Sequence, residues 1–167
     1  MDRRLGLSNP MTFPKLGGMP LPPYALRPVT EDDYAWLWEL KQRTMRAYVE
    51  QTWGTWDDGV QDIFFRQGFF PEKLRIIVVG GRDAGLLEVD RPGHEIFLLR
   101  IEIAPEFQNR GLGSAVLGDL AAEARAARLP LRLQVLKVNP ARRLYSRLGL
   151  RAVGETATHV QMQLDGR

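Results

Sequence analysis

The sequence predicts a mixed α+β fold, a sheet with both hairpin and crossover connections and about four helices around it. Three observations carry the prediction. Residues 74–79 and 84–89 are short apolar runs parted by Gly80-Gly81-Arg82-Asp83, the pattern of a β-hairpin. Residues 95–104 read as a strand that meets a glycine turn. Leu112, Val116, Leu120, Ala124 and Ala127 then recur at helical spacing before another strand over residues 131–138, which is a crossover unit. Two further helical patterns precede the hairpin, and such a mixture of connections belongs to a mixed sheet.

Taken in order, residues 1–23 carry Pro10, Pro14, Pro20, Pro22 and Pro23 with Gly6, Gly17 and Gly18 and no sustained periodicity. They are predicted to be a flexible or surface-draped arm ahead of a single domain over residues 24–167. Tyr24 to Pro28 reads as a short strand closed by its proline. Thr30 followed by Asp33 resembles a capping box, and Tyr34, Leu37, Trp38, Met45 and Tyr48 give an amphipathic helix to about Val49. Residues 50–59 interrupt it, and a second helix is expected over residues 58–67 before Gly68 and Pro71. After the hairpin, Pro92-Gly93 turns the chain into the strand over 95–104. The helix behind the glycine turn ends near Arg128 and Pro130. Pro140 suits the first turn of a helix running to Leu148, and strands near 150–154 and 158–164 finish the chain. No internal repeat is visible.

Composition excludes several classes. A chain of 167 residues, 44% hydrophobic, is long enough for one sizeable core. Lys and Arg number 23 against 20 Asp and Glu, a net charge of only +3 that does not make a nucleic-acid-binding surface. There is no cysteine, which removes disulfides, thiolate metal sites and a Cys nucleophile. His94 and His159 stand far apart without carboxylates patterned around them, so no metal is expected. No apolar run is long enough to span a bilayer and the first 23 residues lack the core of a signal peptide, so the protein is expected to be cytoplasmic and without a membrane partner.

The most informative stretch is residues 101–114. Gly111 and Gly113 allow a tight turn, and the following helix begins with unpaired N–H groups at the positive end of its dipole, a cradle for phosphate or pyrophosphate. No Gly-Lys-Ser/Thr follows to make a P-loop, and no third glycine completes a dinucleotide fingerprint. A helix that simply starts with glycines is the alternative.

Three motifs in this order are similar to those of the GNAT acetyltransferase superfamily. Gln108-Asn109-Arg110-Gly111-Leu112-Gly113 resembles its Gln/Arg-x-x-Gly-x-Gly/Ala pyrophosphate turn. Ile101 to Pro105 resembles the preceding strand and turn. The segment from Asn139-Pro140 through Leu144-Tyr145 to Gly149-Leu150 resembles its Asn-containing helix ending in Leu-Tyr-x-x-x-Gly-Phe, with Leu150 where Phe is usual. The resemblance covers about residues 24–164. It implies a central, mostly antiparallel, twisted sheet and an acetyl-CoA-dependent N-acetyltransferase acting on a small-molecule amine by direct attack in a ternary complex. A protein or peptide acceptor, or a non-catalytic acyl-CoA-binding sensor, is the alternative, and a homodimer is the family-based expectation.

On that resemblance the pyrophosphate lies on backbone N–H groups from Gln108 through Asn109, Arg110, Gly111, Leu112 and Gly113 to Ser114. The backbone of Ile101 and Ile103 pairs with the pantetheine amides like an added strand. Arg143 is either a phosphate partner or part of a solvated helix face, and Asn139 either contacts pantetheine or caps its helix. Tyr145 is expected to serve the CoA sulfur as proton donor, its competing role being core packing. Glu102, a charge within an apolar strand, is the first choice of base, against a solvated edge position. Acceptor candidates are Trp53 and Trp56 beside Asp57 as a box for a cationic amine, with Tyr48 and His159 in support; the competing reading packs the indoles onto the core and makes the aspartates helix caps.

Overall fold

Short apolar strands bounded by turns cannot bury themselves singly. In the computed structural model, which describes residues 23–167, they join one seven-stranded sheet. The elements are β1 (Tyr24–Pro28), α1 (Tyr34–Trp53), α2 (Asp58–Gln67), β2 (Leu74–Val79), β3 (Arg82–Asp90), β4 (Ile96–Ile103), α3 (Leu112–Ala127), β5 (Leu131–Leu136), α4 (Arg142–Arg147), β6 (Arg151–Glu155) and β7 (His159–Leu164). The sheet order is β1-β2-β3-β4-β5-β7-β6, and every neighbouring pair is antiparallel except β4 with β5. The expected arm over residues 1–23 lies, apart from Pro23, outside the described residues.

Local chemistry sets the boundaries. Gly80 and Gly81 both take positive φ, 57° and 76°, so the hairpin closes in two residues and β3 starts at Arg82, earlier than expected. Before α1, the Asp33 carboxylate accepts the Thr30 N–H at 2.9 Å and a fork of bonds from Arg27 at 2.8 and 2.9 Å. The Arg27 guanidinium holds the Asp33 carboxyl down at about 2. Helix α1 runs on to Trp53, past the expected end near Val49. Nothing in residues 50–53 breaks a helix, and the stop comes at Gly54, with φ 85° and its N–H on the Glu50 carbonyl at 2.8 Å. Strand β5 ends at Leu136, short of the expected Val138, because the Asn139 N–H folds back onto the Leu136 carbonyl at 2.9 Å.

A bulge in β4 decides what faces the site. Glu88 lies opposite Arg100 while Val89 lies opposite Leu98, leaving Leu99 as the extra residue. By alternation, Leu98, Ile101 and Ile103 share one face, and Leu99, Arg100 and Glu102 the other. Glu102's face meets α1, through Thr44, and α2, where Arg100 lies 5.7 Å from the Phe65 ring. Across β5 and β7, Leu131, Leu133, Val135, Val160, Met162 and Leu164 are buried, while Arg132, Gln134, Gln161 and Gln163 alternate outward.

Candidate active site

The parallel pair β4–β5 is short. Its rungs are Ile96 with Leu131, Phe97 with Arg132 and Leu98 with Leu133. Beyond them β4 stays with β3 as far as Ile103 opposite Gly85, and β5 stays with β7 as far as Leu136 opposite His159. The two strands therefore part at their carboxyl ends, and β4 beyond Leu98 has no strand partner on its β5 side among the described residues. An unpaired strand edge there offers hydrogen-bonding groups to a ligand amide.

The turn leaving β4 is firmly tied. Phe107 is buried, Glu106 pairs with Arg43 of α1 at 2.6 Å, and the Gln108 side-chain amide donates to the Ile103 carbonyl at 2.7 Å. The Gln108 N–H is spent on the Pro105 carbonyl at 3.2 Å. The Gln108 backbone N–H and one of its side-chain N–H groups thus brace the turn, leaving the backbone N–H groups after it for an anion. Asn109 and Gly111 take φ of 57° and 85°, and Gly111, as N-cap, presents no side chain to α3. The N–H groups of Leu112, Gly113 and Ser114 begin α3 without a side-chain cap, where its dipole is positive. A Cβ at Gly113 would touch Leu144 at 3.4 Å, so α4 flanks this end of α3. Arg110 is exposed on the turn, and Arg143 is exposed on α4 with no ion pair among the described residues. The Asn139 side-chain oxygen Oδ1 accepts the Ala141 N–H at 2.9 Å, the capping role among its two expected ones.

Two proton-bearing groups are candidates for the chemistry, Glu102 on β4 and Tyr145 on α4. Glu102 is only 6% exposed, opposite Leu86 on β3. Burial pushes its carboxyl above the usual glutamate range, against the pull of Arg100, the Thr44 hydroxyl and Lys41. Thr44 Oγ1 lies 3.1 Å from the carboxylate and 2.8 Å from the Leu40 carbonyl. Its one proton serves either acceptor. A protonated Glu102 donates to Thr44, which then donates to Leu40. A Cβ at Gly85 would overlap the Glu102 carbonyl oxygen and reach 3.2 Å from Ile103 Cδ1, so glycine lets β3 approach here. Tyr145 is buried, and its hydroxyl makes no hydrogen bond among the described residues. Burial alone pushes it up to about 12, so it keeps its proton at neutral pH.

The acceptor candidates separate into two groups. Trp53, 55% exposed at the end of α1, meets His159 at 6.4 Å between ring centroids. Trp56 turns inward. It is buried, its indole N–H donates to Asp58 at 2.6 Å, and its ring lies 6.2 Å from Trp38. The expected two-indole box is not formed, because a cation of this chain already takes Trp56: Lys41 Nζ stands 5.8 Å from its ring. Asp57 caps α2 through the Val60 N–H at 2.8 Å, and Tyr48 is half-buried on α1. Sequence reasoning missed Lys41, Thr44 and the 2.6 Å pair of Arg100 with the buried Glu88. Thr44 carried a usable signal, since it continues the buried stripe of Leu37 and Leu40. A cavity of about 280 Å³ opens beside that ion pair, between Phe70, Lys73 and Leu99. Among the described residues no group of three His, Cys, Asp or Glu is placed to hold a metal, and no helix is long and apolar enough to cross a membrane.

Known proteins match this arrangement. Residues 34–150 match the acetyltransferase (GNAT) family model. The fold is similar to an acetyltransferase from Thermus thermophilus (TM-score 0.67, 22% identity, 88% of this chain and 99% of that one). It is also similar to PaiA N-acetyltransferase from Thermoplasma acidophilum in complex with coenzyme A (0.66, 16%, 86% and 99%). A third similar structure is the ribosomal-protein-S18-alanine N-acetyltransferase from Escherichia coli (0.61, 20%, 85% and 93%). No curated protein is a significant sequence match. With the family model covering most of the chain and the parted strands and glycine turn in place, the protein belongs to the acetyltransferase (GNAT) family and is an N-acetyltransferase.

Proposed function

We propose that the protein moves an acetyl group from acetyl-CoA to the primary amine of a small molecule by direct attack in a ternary complex. The observation that carries the reading is the uncapped start of α3 beside the parting of β4 and β5, a place for a pyrophosphate next to a strand edge for amides. Acetyl-CoA supplies the activated acyl group as a thioester. The N–H groups of Leu112, Gly113 and Ser114 hold its phosphates, and the β4 edge at Ile101 and Ile103 orients its amide arm. Glu102 takes the proton that an ammonium acceptor must lose before its nitrogen attacks. Tyr145 gives a hydrogen bond or proton to the departing sulfur, and its unbonded hydroxyl is free for that task.

The acceptor side supports a singly charged amine over a polyamine. Its carboxylates are already engaged: Asp57 in the α2 cap, Asp58 with Trp56, Glu50 with Arg46 and Glu155 with Lys137. A peptide N-terminus is the second reading, favoured by the outward-facing Gln134 and Gln161 on β5 and β7, the strand pair that carries His159 beside Trp53, which offer amides to an extended chain. The test is a thiol-release assay with acetyl-CoA against small amines, polyamines and peptides, beside a direct measurement of CoA binding. Turnover confined to peptides would favour the second reading, and binding with no turnover on any acceptor would favour a sensor.

A further inference from the structure

The Trp56 ring that sequence patterning offers to a substrate cation holds an internal one. Lys41 Nζ lies 5.6 Å from the Trp38 ring, 5.8 Å from Trp56 and 5.5 Å from Phe65, and donates to the Gln61 carbonyl of α2 at 3.3 Å. The three rings and the carbonyl fix an ammonium that a surface lysine would leave mobile. Its helix position matters as much. Lys41 and Thr44 stand three residues apart on α1, hence on one face, and Thr44 touches Glu102. Every charged group around the pair is identifiable. Glu102 interacts with Arg100 on its own strand, Glu88 on β3 and Lys41 on α1; Lys41 interacts with Glu102, Arg100 and Asp62 of α2.

We infer that Lys41 is a positioning residue for the proposed acetyl transfer: caged by Trp38, Trp56 and Phe65, it holds a positive charge on the face of α1 that meets Glu102 through Thr44 and so helps set the pH at which that carboxylate can accept the acceptor's proton. This rests on Glu102 being the base. Arg100 pulls Glu102 in the same direction and more strongly, and Lys41 adds to it; the Arg100 guanidinium is shared with Glu88 at 2.6 Å, and the Glu88 charge opposes both. The energetic argument is Coulombic. Burial favours the neutral acid of Glu102, and a nearby fixed cation in a partly desolvated site favours the anion. The cage in turn stops the ammonium from leaving for water.

The test titrates Glu102 directly, by carbon NMR of the side-chain carboxyl, in the wild type, K41M and K41R, beside the pH profile of kcat/KM. Met preserves the unbranched stem among the rings without the charge. Expected are a Glu102 titration moved to higher pH in K41M and kept near its wild-type position in K41R. On the acid limb, kcat/KM of K41M falls about three- to tenfold, and the difference closes at higher pH. An unmoved Glu102 titration in folded K41M overturns the inference. A moved titration in a protein with no acetyl transfer supports the charge coupling and sinks the proposed function instead. Should K41M not fold, E102Q gives the reciprocal measurement by nitrogen NMR of Lys41: its titration falls to lower pH if the two are coupled, and an unmoved one overturns the inference.

Discussion

Glu102 and Tyr145 are both buried, yet their surroundings differ in kind. Glu102 sits among Arg100, Glu88, Lys41 and Thr44, so its proton affinity is a balance between burial and several partners pulling in opposite directions. Tyr145 has burial alone, pushed to about 12 with no hydrogen bond among the described residues. A group meant to gain and lose a proton near neutral pH benefits from opposing influences that can be tuned. A group meant to keep its proton and offer it as a hydrogen bond to a developing thiolate needs only an apolar wall. The difference supports the proposed acceptor and donor roles on physical grounds.

Replacing Glu102 by Gln breaks the comparison most severely. Turnover is expected to fall by about 10²–10⁴-fold at neutral pH. The sign follows from the raised carboxyl: wild-type kcat/KM rises as pH climbs through the Glu102 titration, above the ordinary glutamate range, and this rise is lost in E102Q. A preserved rise in steady-state profiles would move the base elsewhere. Tyr145→Phe comes next, with turnover lower by about ten- to a hundredfold and CoA affinity measured calorimetrically unchanged. Because the hydroxyl has no bond to lose, denaturant stability should stay within about 0.5 kcal/mol of wild type. A large stability loss would make Tyr145 a structural residue after all. Gly85→Ala sharpens the contrast from the backbone side: its Cβ meets the Glu102 carbonyl oxygen, at an expected cost of about 1–3 kcal/mol in urea unfolding. It should disturb the Glu102 pH profile while leaving Tyr145 on α4 unchanged.

Much of this architecture is legible in residue order. The hairpin at Gly80-Gly81, the bounds of β1 and α2 and the turn from Gln108 to Gly113 all depend on interactions within a few residues, where glycine conformation and hydrophobic period decide. The helical run to Trp53 is harder to read, because a polar stretch over residues 50–52 looks like a loop until Gly54 is recognised as the stop. The surroundings of Glu102 lie beyond local pattern. Thr44 is 58 residues from it in sequence, and Lys41 reaches its cage by the packing of α1 on α2. The same packing turns Trp56 inward and leaves Trp53 to meet His159 from the far end of the chain.

The three rungs that join β4 to β5 also bear on how the molecule holds together as a cooperative unit. On one side lies a four-stranded block, β1 to β4, and on the other β5, β7 and β6. Apart from packing and the α3 connection, the seam between them is three residue pairs long. A ligand bound at the open edge of β4, as proposed, would occupy the gap where the sheet is least paired, and by binding only the folded form it would add its binding free energy to the stability of the whole sheet.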